Sequence, residues 1–143
     1  LERRAEALGV EGAVTWLGHL SQDALEAALA QAWVQVVPSV WDEPFGLAAV
    51  EPMMRGTAVV ASGAGGLAEI VRDGETGRSV PPGDSGALAA ALLDLLRDRD
   101  HAEAMGRAGR DVARQRYGVE TFADRCLDLY RDMLTTSPSI AHA

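Results

Sequence analysis

The sequence contains no lysine: all thirteen of its basic residues are arginines. We read that as a bias of the gene's composition. A single cysteine, Cys126, excludes an internal disulfide framework and fits a reducing compartment. The three histidines, His19, His101 and His142, are scattered and form no metal-ligand set with Cys126. No nucleophile stands with a base in the pattern of a hydrolytic triad. No apolar run approaches the length that crosses a bilayer, and the start lacks the basic-then-apolar pattern of a signal segment. A net charge of −8 disfavours general nucleic-acid binding, because a phosphate backbone calls for a basic face. Neither an internal repeat nor a low-complexity block is present.

What is there is a globular α/β pattern. At 143 residues the chain is one domain or part of one, and its 48% hydrophobic content argues against disorder. Leu1 to Leu8 reads as the end of a helix capped by Gly9. Val14 to Leu17 reads as a short strand, with Trp16 in its core, and Gly18-His19-Leu20 turns out of it. Ser21 is a good N-cap for a helix with Leu25, Ala28, Leu29 and Ala32 on one face. Trp33 to Val37 is the next strand, stopped by Pro38. A helix is expected from about Phe45 to Arg55, then a strand over Ala58 to Ala61. The apolar residues of that strand run continuously, as they do when helices bury both faces. The small-residue loop Ser62 to Gly66 precedes a short helix from Leu67 to Arg72.

Asp73 to Gly77 carries turn chemistry, with Arg72 and Arg78 expected to flank it in solvent. Arg78 to Val80 is an expected edge strand. Asp84 or Ser85 caps a helix whose apolar face holds Leu88, Leu92, Leu95 and Leu96. Further helices are expected from His101 to Arg116 and from about Thr121, the latter with a core face of Phe122, Cys126, Leu129, Tyr130 and Met133. Residues 135–143 read as a disordered tail after one domain over residues 1–134. The expected fold class is α/β: a Rossmann-like parallel sheet flanked by helices, ending in a helical segment.

The stretch Pro38 to Glu51 organises the chain. It connects an apolar strand to a helix and carries two carboxylates, Glu43 and Glu51, with seven residues between them. Ligands of open parallel sheets sit beyond the carboxyl ends of the strands, where helix N-termini present free N–H groups and partial positive charge to phosphates. Carboxylates accept paired hydrogen bonds from neighbouring sugar hydroxyls. The same spacing also suits a plainer arrangement, with Glu43 merely favouring the helix dipole and Glu51 facing solvent.

The blocks Glu43-Pro44-Phe45-Gly46-Leu47 with Glu51, Gly56 to Ser62, Gly65 to Gly77 and Val80 to Asp84 together resemble the C-terminal, donor-binding half of a retaining glycosyltransferase of the GT4 group, with the GT-B fold. The resemblance runs from about residue 8 to residue 134. It implies a nucleotide-diphosphate sugar as donor and no metal or other cofactor. By position, Glu43 would bind donor-sugar hydroxyls and be the catalytic residue of this half. Phe45, Gly46, Leu47 and Ala48 would present backbone to the sugar and diphosphate, and Glu51 would hold the ribose. Gly18, His19, Leu20 and Ser21 would border the nucleobase. The partner of this half would be an N-terminal, acceptor-binding half. The implied location is the cytoplasm, with peripheral association at the inner membrane face as a further option.

The departures from the family pattern matter. Pro52 follows Glu51 where the family usually has a small helix former. A mid-helix proline removes one backbone bond and costs roughly 3 kcal/mol, so a kink is expected that shifts Glu51. Ala58 stands where the family has proline, and Arg78 where it has an apolar residue. The family clamps the diphosphate with an arginine and a lysine earlier in this domain, and this chain has no lysine. It therefore reads as part of a longer or split enzyme, inactive alone. A non-catalytic nucleotide-sugar-binding module or subunit remains the alternative. Gly63 to Ala68 also matches the G-x-G-x-x-A form of a dinucleotide fingerprint, though a tight turn lining the same crevice suits it better. Glu69 is placed to cap the helix that follows. Trp41 reads as a sugar platform or a cover, Trp33 as core, and the arginines from Arg107 to Arg116 as a solvated basic stripe or a membrane-surface face.

Overall fold

The computed structural model describes residues 1–136, with the side chain of Thr136 left aside. The chain forms two compact units, Leu1–Ala32 and the part from Trp33 onward, and each is described by itself.

The first unit holds α1 (Glu2–Ala7), a 3-10 turn (Glu11–Ala13) and α2 (Gln22–Leu29). Gly9 follows α1 with a positive φ of 65°, as a helix stop requires. The Ser21 hydroxyl accepts from the Ala24 amide and caps α2. Val14 to Leu17 is not a strand. Strand structure needs a paired neighbour, and none pairs with this segment among the described residues. Val14, Trp16 and Leu17 stay 37%, 47% and 54% exposed, so Trp16 is not a core residue here.

The second unit is built on three parallel strands in the order β1 (Val34–Val37), β2 (Ala58–Ser62) and β3 (Gly77–Val80). Gln35 pairs with Val59 and Val37 with Ala61; Val60 pairs with Arg78 and Ser62 with Val80. α3 (Leu47–Arg55) crosses from β1 to β2, and α4 (Gly66–Ile70) lies between β2 and β3. The alternation of β2 divides the core. Val59 and Ala61, with Val37, meet Ala49, Val50 and Met53 of α3 and Leu67 and Ile70 of α4. Ala58 and Val60, with Val80, meet Ala91 and Leu95 of α5 (Ser85–Arg97) and Ala102 and Met105 of α6 (Arg99–Tyr117). Every residue of β2 is buried, which explains its unbroken apolar run. Near its other end α6 places Ala113 in the first cluster, so one helix serves both faces.

The cap expected at Asp84 is realised, and Asp98 caps α6, which starts at Arg99 and not at His101. Asp84 accepts from the Ala87 amide at 2.9 Å, and Asp98 accepts from the His101 amide at 2.9 Å. His101 is an exposed helix-start residue. Leu96, expected on the buried face of α5, is 47% exposed, and Ala91 takes that place. Arg78 is not a solvated flank of its turn. It is half-buried and donates to Asp73 and Asp94.

α7 (Val119–Thr136) follows a break at Gly118. Its expected core face is not core: Phe122, Leu129, Tyr130 and Met133 are 68%, 59%, 64% and 59% exposed, and Cys126 is only half-buried. An amphipathic pattern specifies a face and not its partner. The helix includes Thr135 and Thr136; the rest of the tail expected from residue 135, with His142, lies outside the described residues. Among the described residues no helix is long and apolar enough to cross a membrane.

Candidate donor-binding site

The loops after β1 and β2 leave the same edge of the sheet, because the strands are parallel neighbours. They then lock together. The Gly66 amide donates to the Glu43 carbonyl at 2.7 Å. A Cβ on Gly65 would stand 2.5 Å from the Glu43 oxygen, and one on Gly66 would stand 2.1 Å from the Phe45 oxygen. Only two glycines let the backbone of Glu43 to Phe45 rest on this ledge. That contact also disposes of the dinucleotide reading of Gly63 to Ala68. The space a phosphate would need against Gly65 and Gly66 is filled by the chain itself.

Glu43 is half-buried, and its Oε1 accepts from the Ser39 hydroxyl at 2.7 Å. Ser39 is only 7% exposed, so the carboxylate is tethered from the protein side and leaves its other lone pairs open. Sequence reasoning passed over Ser39; the signal was a hydroxyl four residues before the carboxylate in one short loop. Trp41 is 62% exposed on that loop.

α3 begins at Leu47, two residues later than its pattern predicts. The reason is Gly46, the N-cap, at φ 106°, a conformation that ends the loop and excludes a side chain. A Cβ there would also meet Leu67 Cδ2 at 2.9 Å. The Ala49 amide turns back to the Gly46 carbonyl at 2.9 Å. The amides of Leu47 and Ala48 donate to no carbonyl among the described residues, as expected of a first turn. Phe45 is 47% exposed, and its ring meets Tyr117 edge-on at 5.6 Å.

Glu43, Phe45, Gly46, Leu47 and Ala48 are therefore brought together at one helix start. Glu51 lies one turn beyond Leu47 on the same stripe of α3, exposed, with no side-chain partner among the described residues. α3 runs from Leu47 to Arg55 without interruption across Pro52, which is fully buried. The Ala48 carbonyl, which an amide at position 52 would have satisfied, accepts from Gln35 Nε2 at 3.3 Å. The helix then closes with Thr57 donating to Pro52 and Gly56 to Met53, both at 2.9 Å.

Glu69 makes no cap on α4. The N-cap is Gly65, which has no hydroxyl to form the reciprocal pair, and its φ and ψ of 52° and −134° lie outside the usual capping geometry. Gly18 to Ser21 belong to the first unit, where Gly18 has φ 63°, His19 is exposed and Ser21 caps α2. The acidity of Asp73 is raised. The Ser79 amide, bonded at 3.0 Å, holds its carboxyl below the usual aspartate value, aided by Arg78 and opposed by partial burial.

The sequence profile described as "Glycosyl transferases group 1" matches residues 1–112. A phosphatidyl-myo-inositol mannosyltransferase of Mycobacterium leprae is 36% identical over 137 residues, covering 96% of this chain and 36% of that protein. A D-inositol 3-phosphate glycosyltransferase of Corynebacterium urealyticum is 38% identical over 135 residues, covering 94% of this chain and 31% of its own. Among solved structures, sucrose-phosphate synthase from Thermosynechococcus elongatus superposes with a TM-score of 0.84 at 38% identity, over 95% of this chain and 34% of that one. Anabaena HepE in complex with UDP-glucose superposes with a TM-score of 0.82 at 28% identity, over 92% of this chain and 35% of that one. The chain thus spans about a third of the length of the curated relatives it matches. Three parallel strands between helices, a helix start fed by the Glu43 loop and matches over most of the sequence agree: the chain belongs to the glycosyl transferases group 1 family and has the fold of a GT-B C-terminal domain.

Proposed function

We propose that this chain binds the nucleotide-diphosphate sugar donor of a retaining, GT4-type glycosyltransferase. The observation that carries the reading is the Glu43 carboxylate, tethered by Ser39 at 2.7 Å, immediately before a helix start whose Leu47 and Ala48 amides have no carbonyl partner. Glu43 accepts hydrogen bonds from donor-sugar hydroxyls and orients the anomeric carbon. The first-turn amides and the partial positive charge of α3 receive the diphosphate and stabilise the negative charge that grows on it as the glycosidic bond breaks. Phe45 and Gly46 contribute backbone to the same surface, and Glu51 takes the ribose hydroxyls from the next turn. The solved HepE complexes with UDP and with UDP-glucose support this ligand class. The reading assigns no metal to these residues. Cations on the diphosphate come from side chains of the intact enzyme, which also supplies the acceptor-binding half.

The test is turnover of the intact enzyme with a panel of nucleotide sugars, wild type against Glu43→Gln. A neutral amide keeps the shape and the Ser39 contact but weakens acceptance from sugar hydroxyls. Transfer is expected to fall by about a hundredfold, the scale on which single preorganised polar groups act, with an unchanged melting temperature. Turnover at the wild-type rate would overturn the assignment of Glu43.

A further inference from the structure

Pro52 stands in the middle of α3 and has no N–H for the Ala48 carbonyl four residues before it. Gln35 supplies the missing donor. Its Nε2 donates to the Ala48 carbonyl at 3.3 Å, while its Oε1 accepts from Arg55 Nη2 at 3.0 Å. Gln35 lies on β1 with the same parity as Val37, on the sheet face that α3 covers. Ala48, Pro52 and Arg55 fall on one side of the helix, so the bridge from Arg55 through Gln35 to Ala48 spans two turns over the proline. Glutamine fits this place for a chemical reason: its amide is at once a donor for a carbonyl and an acceptor for a guanidinium. Glutamate would offer two acceptors, and an aliphatic side chain neither.

We infer that Gln35 is a positioning residue for the donor phosphate site: it replaces the backbone amide that Pro52 lacks and so fixes the first turn of α3. The inference rests on the proposed reading of the Leu47 and Ala48 amides as phosphate donors. Ala48 is exposed, and an unpaired carbonyl on a solvent-facing helix tilts outward toward water. That tilt rotates the peptide planes of the first turn and strains the bond from the Ala49 amide to the Gly46 carbonyl, now 2.9 Å. Because water can solvate the freed carbonyl, the fold loses little. The direction of the amides changes, and with it their fit to a phosphate.

A double-mutant cycle in the intact protein tests this. Calorimetry with UDP and GDP would compare wild type, Gln35→Ala, Pro52→Ala and the double variant, all below their melting transitions. Gln35→Ala is expected to weaken binding of the preferred nucleotide about fivefold, consistent with loss of one hydrogen bond. In the Pro52→Ala background the same change is expected to have less than a twofold effect, because the amide of residue 52 then serves the Ala48 carbonyl. Gln35→Glu, which keeps an acceptor for Arg55 but has no donor, is expected to behave like Gln35→Ala. Hydrogen exchange at Ala49 and Val50 without nucleotide should quicken in Gln35→Ala and recover in the double variant. Equal effects in both backgrounds, or an unaltered affinity in Gln35→Ala, would overturn the positioning role. A wild type that binds neither nucleotide overturns the donor reading, and the inference with it; the exchange data then show whether the bridge alone holds the helix start.

Discussion

At the scale of single residues, the site depends on tethers more than on the groups that would touch a ligand. Glu43 is aimed by Ser39, Ala48 by Gln35 and the backbone of Glu43 to Phe45 by two glycines. Gly66→Ala measures the last of these. Its Cβ has backbone oxygen at 2.1 Å, so the loop must move; a loss of about 2 kcal/mol or more in unfolding free energy is expected by denaturant titration. Activity should fall further than stability, because the displaced segment carries Glu43. Asp73 gives a prediction in pH. Its pKa in the folded state lies below that of the unfolded chain, so its contribution is present above the unfolded pKa and is lost as pH falls through the folded pKa. Asp73→Asn should therefore lower stability at neutral pH and flatten the acid side of the melting-temperature profile. A profile parallel to wild type would remove Asp73 from the acid response. The side chain is 57% exposed, so the effect is modest.

At the scale of elements, what could be read from the sequence was whatever depends on neighbours along the chain. The caps at Ser21 and Asp84, the stop at Gly9 and the continuous apolar run of β2 are local matters, and the structure has them as the pattern implies. Val14 to Leu17 has a strand's composition but no paired neighbour among the described residues, and composition cannot supply one. Pro52 fails in the opposite sense. Its local penalty is real, yet α3 continues, and Gln35, far back in the chain on β1, reaches the orphaned carbonyl. The start of α3 at Leu47 likewise depends on Gly46, where a Cβ would run into Leu67 and Ile70, a limit that a helical pattern does not encode.

At the scale of the second unit, a thin sheet carries the architecture, and β2 at its centre separates two apolar clusters. α6 joins the clusters, with Ala102 and Met105 in one and Ala113 in the other. Leu95 is fully buried in the cluster away from α3. Leu95→Ala should cost about 3 kcal/mol in unfolding free energy while leaving the Glu43 loop in place, so nucleotide affinity of the remaining folded protein should hold. A loss of affinity matching the loss of stability would mean that the two faces do not act independently. The amphipathic face of α7 was legible as a pattern, but its 68% exposure at Phe122 shows that a pattern alone does not say which surfaces are covered.

The bridge over Pro52 also bears on the history of this chain. An alanine at position 52 makes Gln35 dispensable, and a proline there makes it needed. Of the two routes to the present pair, the one that acquired Gln35 first passes through an intermediate with a satisfied helix start. The other passes through one with an orphaned Ala48 carbonyl. Once proline is in place, position 35 is no longer free to drift, although it lies outside the segment that would touch a ligand.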